Sequence, residues 1–193
     1  AAEAYRLCPH GIFTPVRMQR YARVSADIMD ILASFSPDIR RLSIDEACLD
    51  ITGTEGLFGL PDELSRTVKA KIFERTGLTV SAGVASTRYL AKMASEINKP
   101  DGFYCIPSGS EQDFMLSMPL EKIWGIGKKT RARLNAAGLY TAHDIYRQSQ
   151  SLLSLMFGKA TGAFLFNTVR GKETERQSPP SHSMSAETTY PYD

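Results

Sequence analysis

Apolar residues recur at spacings of three and four along much of the chain, which is typical of amphipathic helices. The spacing holds over residues 17–35, and a break at 36–38 predicts the end of that helix. It resumes at Pro61 and stops at Gly77, a proline start and glycine stop that favour a second helix. A third helix is predicted to follow Ser86 or Thr87 and to end in the Asn-Lys-Pro-Asp-Gly run at 98–102.

Strand-like runs lie between these helices. Apolar and polar residues alternate at 39–44, and apolar runs follow at 47–51, 78–85 and 103–106. Only Asp45 and Glu46 separate the first two runs, which predicts a hairpin with an acidic tip. Asp-Glu is not a favoured hairpin dipeptide, because neither residue favours positive φ, so we expect that function maintains this tip. Helices alternating with strands predict an α/β or α+β layer, with helices packed on a sheet.

The pattern changes after Pro107, where strand signals end and short helices follow. Thr141 and Asp144 have the spacing of a capping box. From Lys172 the chain is polar and contains a Ser-Pro-Pro-Ser run, which is typical of a linker. We therefore expect a small all-α domain with helices at about 111–117, 119–123, 128–137, 142–149, 151–157 and 159–170.

Composition excludes several classes of protein. The 193 residues are 42% hydrophobic and 23% charged, values of a globular protein rather than a disordered or collagenous one. No apolar run approaches the roughly 18 residues of a membrane helix, so no membrane partner is expected. The three cysteines are far apart and odd in number, which favours a reducing compartment, and we expect a cytoplasmic protein.

Charge is distributed unevenly along the chain. Residues 119–178 contain ten basic and four acidic residues, a net charge of +6. Because the whole chain carries +2, the remainder carries −4. A basic segment beside an acidic one is compatible with a nucleic-acid contact next to a metal-binding part, although solvated basic helices give the same count.

The acidic tip, in the run SIDEA at 43–47, is the first candidate site. Two adjacent carboxylates repel each other, and a hard divalent cation such as Mg²⁺ removes that repulsion. Mg²⁺ typically takes one or two protein carboxylates and completes its shell with water and phosphate oxygens, which points to phosphoryl or nucleotidyl transfer. From the dipeptide alone, an exposed acidic turn without function stays open.

Two further runs have candidate chemistry. Gly125 and Gly127 bracket Ile126 between two short helices, a helix–hairpin–helix pattern that lets backbone N–H groups meet a nucleic-acid phosphate. Lys99 lies before the Pro-Asp-Gly turn, where it could reach a triphosphate or simply stabilise a helix C-terminus. The cations that follow the glycines are Lys128, Lys129 and Arg131.

Together the runs resemble the Y-family (translesion) DNA polymerases of the DinB/UmuC type. The matching stretches, in family order, are residues 21–25, 43–51, 80–85, 90–95 with 98–102, and 123–127. The resemblance implies an α+β palm at 16–106, after a fingers remnant at 1–15. It further implies an all-α thumb at 107–176 and a linker at 177–193 toward a little-finger domain.

The same resemblance implies roles for individual residues. Asp45 would hold both Mg²⁺ ions, and Glu46 the ion that activates the primer hydroxyl. Lys99 would neutralise the phosphates of the incoming deoxynucleoside triphosphate. The hairpin from Gly125 through Ile126 to Gly127, with Lys128, Lys129 and Arg131, would hold primer–template DNA, and a sliding clamp would bind through a region outside this chain.

The chain departs from the family pattern at its ends. It begins at Ala1 rather than Met, and nothing in it matches the family's other catalytic aspartate or the aromatic residue that excludes ribonucleotides. We therefore expect an internal fragment that does not extend primers by itself. Two rival interpretations stay open: a non-catalytic polymerase homologue acting as a DNA-binding scaffold, and a helix–hairpin–helix module joined to an unrelated α/β domain.

Overall fold

The computed structural model describes residues 2–172, so the predicted linker at 177–193 lies outside the described residues. The chain forms two compact units, and the first comprises Ala1–Val84 with Ala94–Cys105. The second comprises Ala85–Met93 and the chain from Ile106 onward. Residues 85–93, which the sequence-based division placed with the palm, group with the second unit because Tyr89 and Met93 bond to Trp124 there.

The first unit is built from helices and four three-residue strands. Helix α5 (Arg88–Ile97) begins in the second unit and ends in the first. The other elements are α1 (Ala2–Leu7), α2 (Met18–Ala33), β1 (Ile39–Arg41), β2 (Ala47–Leu49), α3 (Glu55–Phe58), α4 (Pro61–Thr76), β3 (Ala82–Val84) and β4 (Phe103–Cys105).

The core of the first unit forms between α2 and α4. Ile31 and Phe35 from the α2 side are buried against Leu64 and Ile72 of α4, and Leu49 of β2 packs on them. These are residues whose helical spacing predicted the two helices, and both helices are confirmed. The mixed α+β class predicted for this part of the chain is confirmed as well.

The strands are shorter than predicted. Strand β1 pairs antiparallel with β2 (Ile39 opposite Leu49), and β3 pairs parallel with β4 (Ala82 opposite Phe103). The predicted strand 39–44 ends at Arg41, since the chain bends at 43–45. The predicted two-residue hairpin tip is therefore wrong, and the connection between β1 and β2 spans residues 42–46. The predicted strand 78–85 is reduced to β3.

The second unit contains only helices among its described residues, which confirms the predicted all-α class. They are α6 (Glu111–Ser117), a 3₁₀ turn (Leu120–Lys122), α7 (Lys128–Ala136), α8 (Ala142–Tyr146), α9 (Gln150–Phe157) and α10 (Lys159–Thr168). Helix α8 stops short of the predicted residue 149, and the carbonyl of Tyr146 instead accepts a hydrogen bond from Arg170 at 2.7 Å. The core includes Leu134, Ile145, Leu153 and Leu165, all fully buried.

Predicted helix caps are present in the structure. The Thr87 hydroxyl accepts from the Leu90 N–H at 3.3 Å at the start of α5. At α8 the capping box is complete, because the Asp144 N–H donates to Thr141 Oγ1 (3.1 Å) and Asp144 Oδ2 accepts from the Thr141 N–H (2.9 Å). Within residues 2–172, no helix has the length and apolar character needed to cross a membrane.

Candidate functional site

The acidic tip is an ordered loop rather than a simple turn. The N–H groups of Leu42 and Ser43 both donate to the carbonyl of Glu46, at 2.9 and 3.2 Å, and close the loop. Inside it, Ser43 Oγ donates to Asp45 Oδ1 at 2.6 Å and accepts from the Asp45 N–H at 3.3 Å. Asp45 is exposed and Glu46 is half-buried, so Ser43 orients a carboxylate that solvent and ligands can reach.

Helix α2 also contacts this loop through a hydrogen bond. Ser25 Oγ donates a short hydrogen bond to the carbonyl of Ile44, directly before Asp45. Ser25 lies in the stretch 21–25 that carries the family resemblance, which implies no role for it. Because the bond is made to a backbone carbonyl 19 residues away, no motif indicates it.

The donor set at the tip fits a divalent cation in type. Asp45 and Glu46 are adjacent carboxylates on one loop, and hard carboxylate oxygens are the ligands that Mg²⁺ prefers. Among the described residues, no group of three His, Cys, Asp or Glu side chains could hold a metal ion. The tip can therefore supply the one or two carboxylates that Mg²⁺ usually takes from a protein, with the remaining ligands being water or phosphate oxygens.

Lys99 lies on a different loop of the same unit. It is exposed at the end of α5, and its Nζ pairs with Glu96 Oε1 at 2.7 Å. An exposed pair of this kind contributes little to stability, so it leaves Lys99 able to change partner. The structure brings Asp45 and Glu46 together on one loop and places Lys99 on another.

Lys69 of α4, which sequence reasoning missed, fixes the loop that carries Lys99. Its ammonium group donates to the carbonyls of Val80 (2.6 Å), Asp101 (2.9 Å) and Gly102 (3.3 Å), and it pairs with the Asp101 carboxylate. The side chain of Lys69 is only 17% exposed. A largely buried lysine side chain with four acceptor atoms fixes the turn that follows Lys99.

In the second unit, the two glycines of the hairpin differ in backbone conformation and in the space around them. Gly125 has φ +94°, and a Cβ there would lie 2.6 Å from the ring of Phe164. Gly127 has an ordinary φ of −76°, and a Cβ there would meet nothing within 4 Å. The fold therefore requires a glycine at position 125 but gives no reason for one at position 127.

Of the other predicted hairpin residues, one is buried and the three cations are exposed or half-buried. Ile126 is 4% exposed, and its N–H donates to the carbonyl of Ile123 at 3.0 Å, so it anchors the loop and its side chain does not face a ligand. Lys128 and Lys129 are exposed at the start of α7. Arg131 is half-buried and lies 3.7 Å from Glu121.

Helix α7 presents the features of an anion site at its N-terminus. The first N–H groups of a helix have no partner within the helix, and the helix dipole places partial positive charge there. The nine residues of α7 include two lysines and two arginines and no acidic residue. Backbone donors and cations at one helix end can bind successive phosphates without recognising bases.

Helix α5 holds the hairpin in place through Tyr89 and Met93, which sequence reasoning also missed. Tyr89 Oη donates to the carbonyl of Trp124 at 2.7 Å, and the Trp124 N–H donates to Met93 Sδ at 3.2 Å. Burial raises the pKa of Tyr89 well above its usual value, so its hydroxyl remains a donor across the physiological pH range. Two buried side chains of α5 thus fix the backbone of the loop before α7.

Comparison with known proteins identifies a family model and several proteins named as polymerases that this chain resembles. Residues 1–96 match the impB/mucB/samB family, and residues 108–139 match the helix–hairpin–helix motif of the same family. Among curated proteins, the chain is 46% identical to DNA polymerase IV of Treponema denticola, over 99% of this chain and 49% of that protein. It is 38% identical to DNA polymerase IV of Shewanella amazonensis, over 100% of this chain and 55% of that protein.

Solved structures of proteins named DinB and Dbh DNA polymerase have a similar fold. DinB from Sulfolobus solfataricus matches with a TM-score of 0.82 at 34% identity, over 91% of this chain and 52% of that chain. An insertion ternary complex of Dbh DNA polymerase matches with a TM-score of 0.81 at 34% identity, over 91% of this chain and 51% of that chain.

The chain spans about half the length of the curated relatives it matches. The matched segment nevertheless contains both the acidic tip and the helix–hairpin–helix, in two units of the predicted classes. The chain belongs to the impB/mucB/samB family and is a DinB-type segment of the Y-family DNA polymerase fold.

Proposed function

We propose that the whole protein is a translesion DNA polymerase, which adds deoxynucleotides to a primer 3′ end as directed by the template and releases pyrophosphate. The observation that supports this most directly is the Asp45–Glu46 tip, a pair of adjacent carboxylates of which Asp45 is oriented by Ser43, in a chain 46% identical to a DNA polymerase IV. The cytoplasm as its compartment, and a sliding clamp as a partner bound outside this segment, belong to the same proposal.

In this proposal Asp45 and Glu46 hold Mg²⁺, with Ser43 and Ser25 keeping the tip in one conformation. When bound, the ion supplies positive charge that offsets the charge developing on the transferring phosphate. Lys99 adds a mobile point charge for the triphosphate, because exchanging its exposed pairing with Glu96 for a phosphate costs little. Each of these residues binds or orients, and positioning of that kind accounts for much of the catalysis of phosphoryl transfer.

The second unit contributes the grip on primer–template DNA. The N-terminus of α7 with Lys128 and Lys129 binds backbone phosphates, and Arg131 joins them by exchanging Glu121 for a phosphate. Contacts of this type are independent of sequence, which suits a polymerase that must move along any template. Binding is then expected to weaken steeply as salt rises, because each phosphate contact releases condensed counterions.

The chain by itself is proposed not to extend primers. Its described residues supply two carboxylates at the tip and no cluster of three metal-binding side chains. Primer extension by the 193-residue chain alone would refute this point. DNA binding without extension is the expected behaviour of the isolated chain.

The test of the catalytic role uses the full-length protein. Asp45→Asn and Glu46→Gln should each abolish primer extension while DNA affinity stays the same, since neither residue belongs to the DNA grip. Glu74→Gln, which removes an exposed carboxylate from α4, is the matched control and should extend primers normally. Extension by the Asp45→Asn protein at the wild-type rate would contradict the polymerase proposal, whereas DNA binding by a wild-type protein that never extends would favour the scaffold.

A further inference from the structure

We propose that Trp124 is a further DNA-contacting residue, whose indole lies against a sugar or base of the strand held by the hairpin. Trp124 is the single tryptophan of the chain and is 60% exposed, although tryptophan is usually well buried because of its large apolar surface. It directly precedes Gly125, on the loop that leads into α7. This inference rests on the proposed DNA-binding function and adds a contact to it.

Buried residues fix the backbone that carries the exposed indole, and the indole itself lies beside an aromatic ring. The backbone of Trp124 bonds on both sides, through its carbonyl to Tyr89 and through its N–H to Met93. The ring of Tyr89 lies 5.8 Å from the indole, centroid to centroid, at an interplanar angle of 40°. An aromatic group ordered in advance loses little conformational entropy on binding, which is what distinguishes a binding residue from an incidental exposed side chain.

The surroundings of Trp124 favour a nucleotide over an apolar protein partner. Lys128 and Lys129 are exposed within five residues of it, and they favour a polyanion. Phosphates bind at the start of α7 in the proposed function, and a nucleotide places its sugar and base beside its phosphate. The indole offers that nucleotide a flat apolar face, as aromatic side chains do in other nucleic-acid sites.

The stacking contact predicts a change in affinity without a change in salt dependence. Base–aromatic stacking is worth about 1 kcal/mol at the lower end of its range, which is about a fivefold change in Kd. Trp124→Ala should therefore raise Kd about fivefold or more, and Trp124→Phe by less. Because the indole has no charge, the slope of log Kd against log salt should stay at its wild-type value, whereas Lys128→Ala should reduce that slope by about one.

The experiment is a titration of the protein with a primer–template oligonucleotide, followed by DNA anisotropy and by tryptophan emission. With the 193-residue chain, quenching of the wild-type emission with the same midpoint as the anisotropy is the expected result, since Trp124 is the single tryptophan of that chain. Tyr140→Ala, which removes another exposed aromatic side chain from the second unit, is the matched control and should leave Kd unchanged. Circular dichroism of each variant separates a lost contact from a lost fold.

Different results would refute the Trp124 contact and the proposed DNA-binding function. If Lys128→Ala weakens binding while Trp124→Ala does not, and the emission stays unquenched, the DNA contact of Trp124 is refuted and the DNA grip stands. If the wild-type protein binds no DNA at all, the proposed function is overturned and the inference with it.

Discussion

The two hairpin glycines provide a test that separates folding from binding. Gly125→Ala places a methyl group 2.6 Å from Cζ of Phe164 and forces an alanine to φ +94°. A left-handed backbone costs an ordinary residue about 1–2 kcal/mol, and overpacking costs about 1–3 kcal/mol. We therefore expect the free energy of unfolding to fall by about 2–5 kcal/mol.

Gly127→Ala has the opposite structural setting. Its φ of −76° suits any residue, and the new methyl group meets nothing within 4 Å. The protein should be as stable as wild type, or more stable by about 0.4–1 kcal/mol, because alanine restricts the unfolded chain. If phosphates approach the backbone at the start of α7, the same methyl group obstructs them, and DNA affinity falls although stability does not.

Urea unfolding followed by circular dichroism measures the first quantity, and anisotropy of a labelled primer–template measures the second. Gly125→Ala should lose stability, and Gly127→Ala should lose DNA affinity alone. A Gly125→Ala protein with wild-type stability would refute the loop geometry. A Gly127→Ala protein with wild-type affinity would show that DNA does not approach the α7 backbone at that point.

Three other predictions concern the contacts that support the fold. Lys69→Met removes a charged donor with four acceptors and should lower the free energy of unfolding by about 2–3 kcal/mol in urea titrations. Gly162→Ala places a Cβ 2.4 Å from the backbone of Ser154, where α9 and α10 pack, and should lower the melting temperature markedly through overpacking of about 1–3 kcal/mol or more. Hydrogen bonds from Thr141, its side chain first, hold the pKa of Asp144 below its usual value. The stability that Asp144 contributes is therefore complete above the unfolded-state pKa of about 3.9 and is lost as pH falls through the lowered folded-state pKa, so wild type and Asp144→Asn should converge in acid unfolding curves.

Helices could be predicted from the sequence far better than strands, for a physical reason. Helical periodicity reports which side chains are buried on one face, and α2 and α4 do bury the predicted faces, including Ile31 and Leu64. Strand pairing depends instead on backbone hydrogen bonds to distant segments. At Leu78 the N–H donates to Thr76 Oγ1, and a residue used in that way does not extend the predicted strand toward β3.

The candidate site could be predicted only in part. Runs of unusual residue types located the acidic tip and the glycine hairpin, because carboxylate pairs and closely spaced glycines are recognisable in a sequence. The residues that hold the loops of the tip, the hairpin and Lys99 were not recognised. Ser25, Lys69 and Tyr89 bond to backbone carbonyls 19, 32 and 35 residues away. Every residue has such a carbonyl, so the sequence has no sign of which one is bound.

This use of the backbone has a consequence for function. The loops of Asp45, Lys99 and Trp124 are each held through carbonyl groups, at Ile44, at Asp101 and Gly102, and at Trp124 itself. A hydrogen bond to a carbonyl does not depend on the side chain beside it. Replacing a functional side chain therefore leaves these carbonyl contacts in place, whereas replacing Ser25 or Tyr89 removes the contact and keeps the functional side chain. Loss of activity with unchanged stability in Asp45→Asn indicates a chemical role. Ser25→Ala keeps both carboxylates, so its activity measures the effect of positioning the tip.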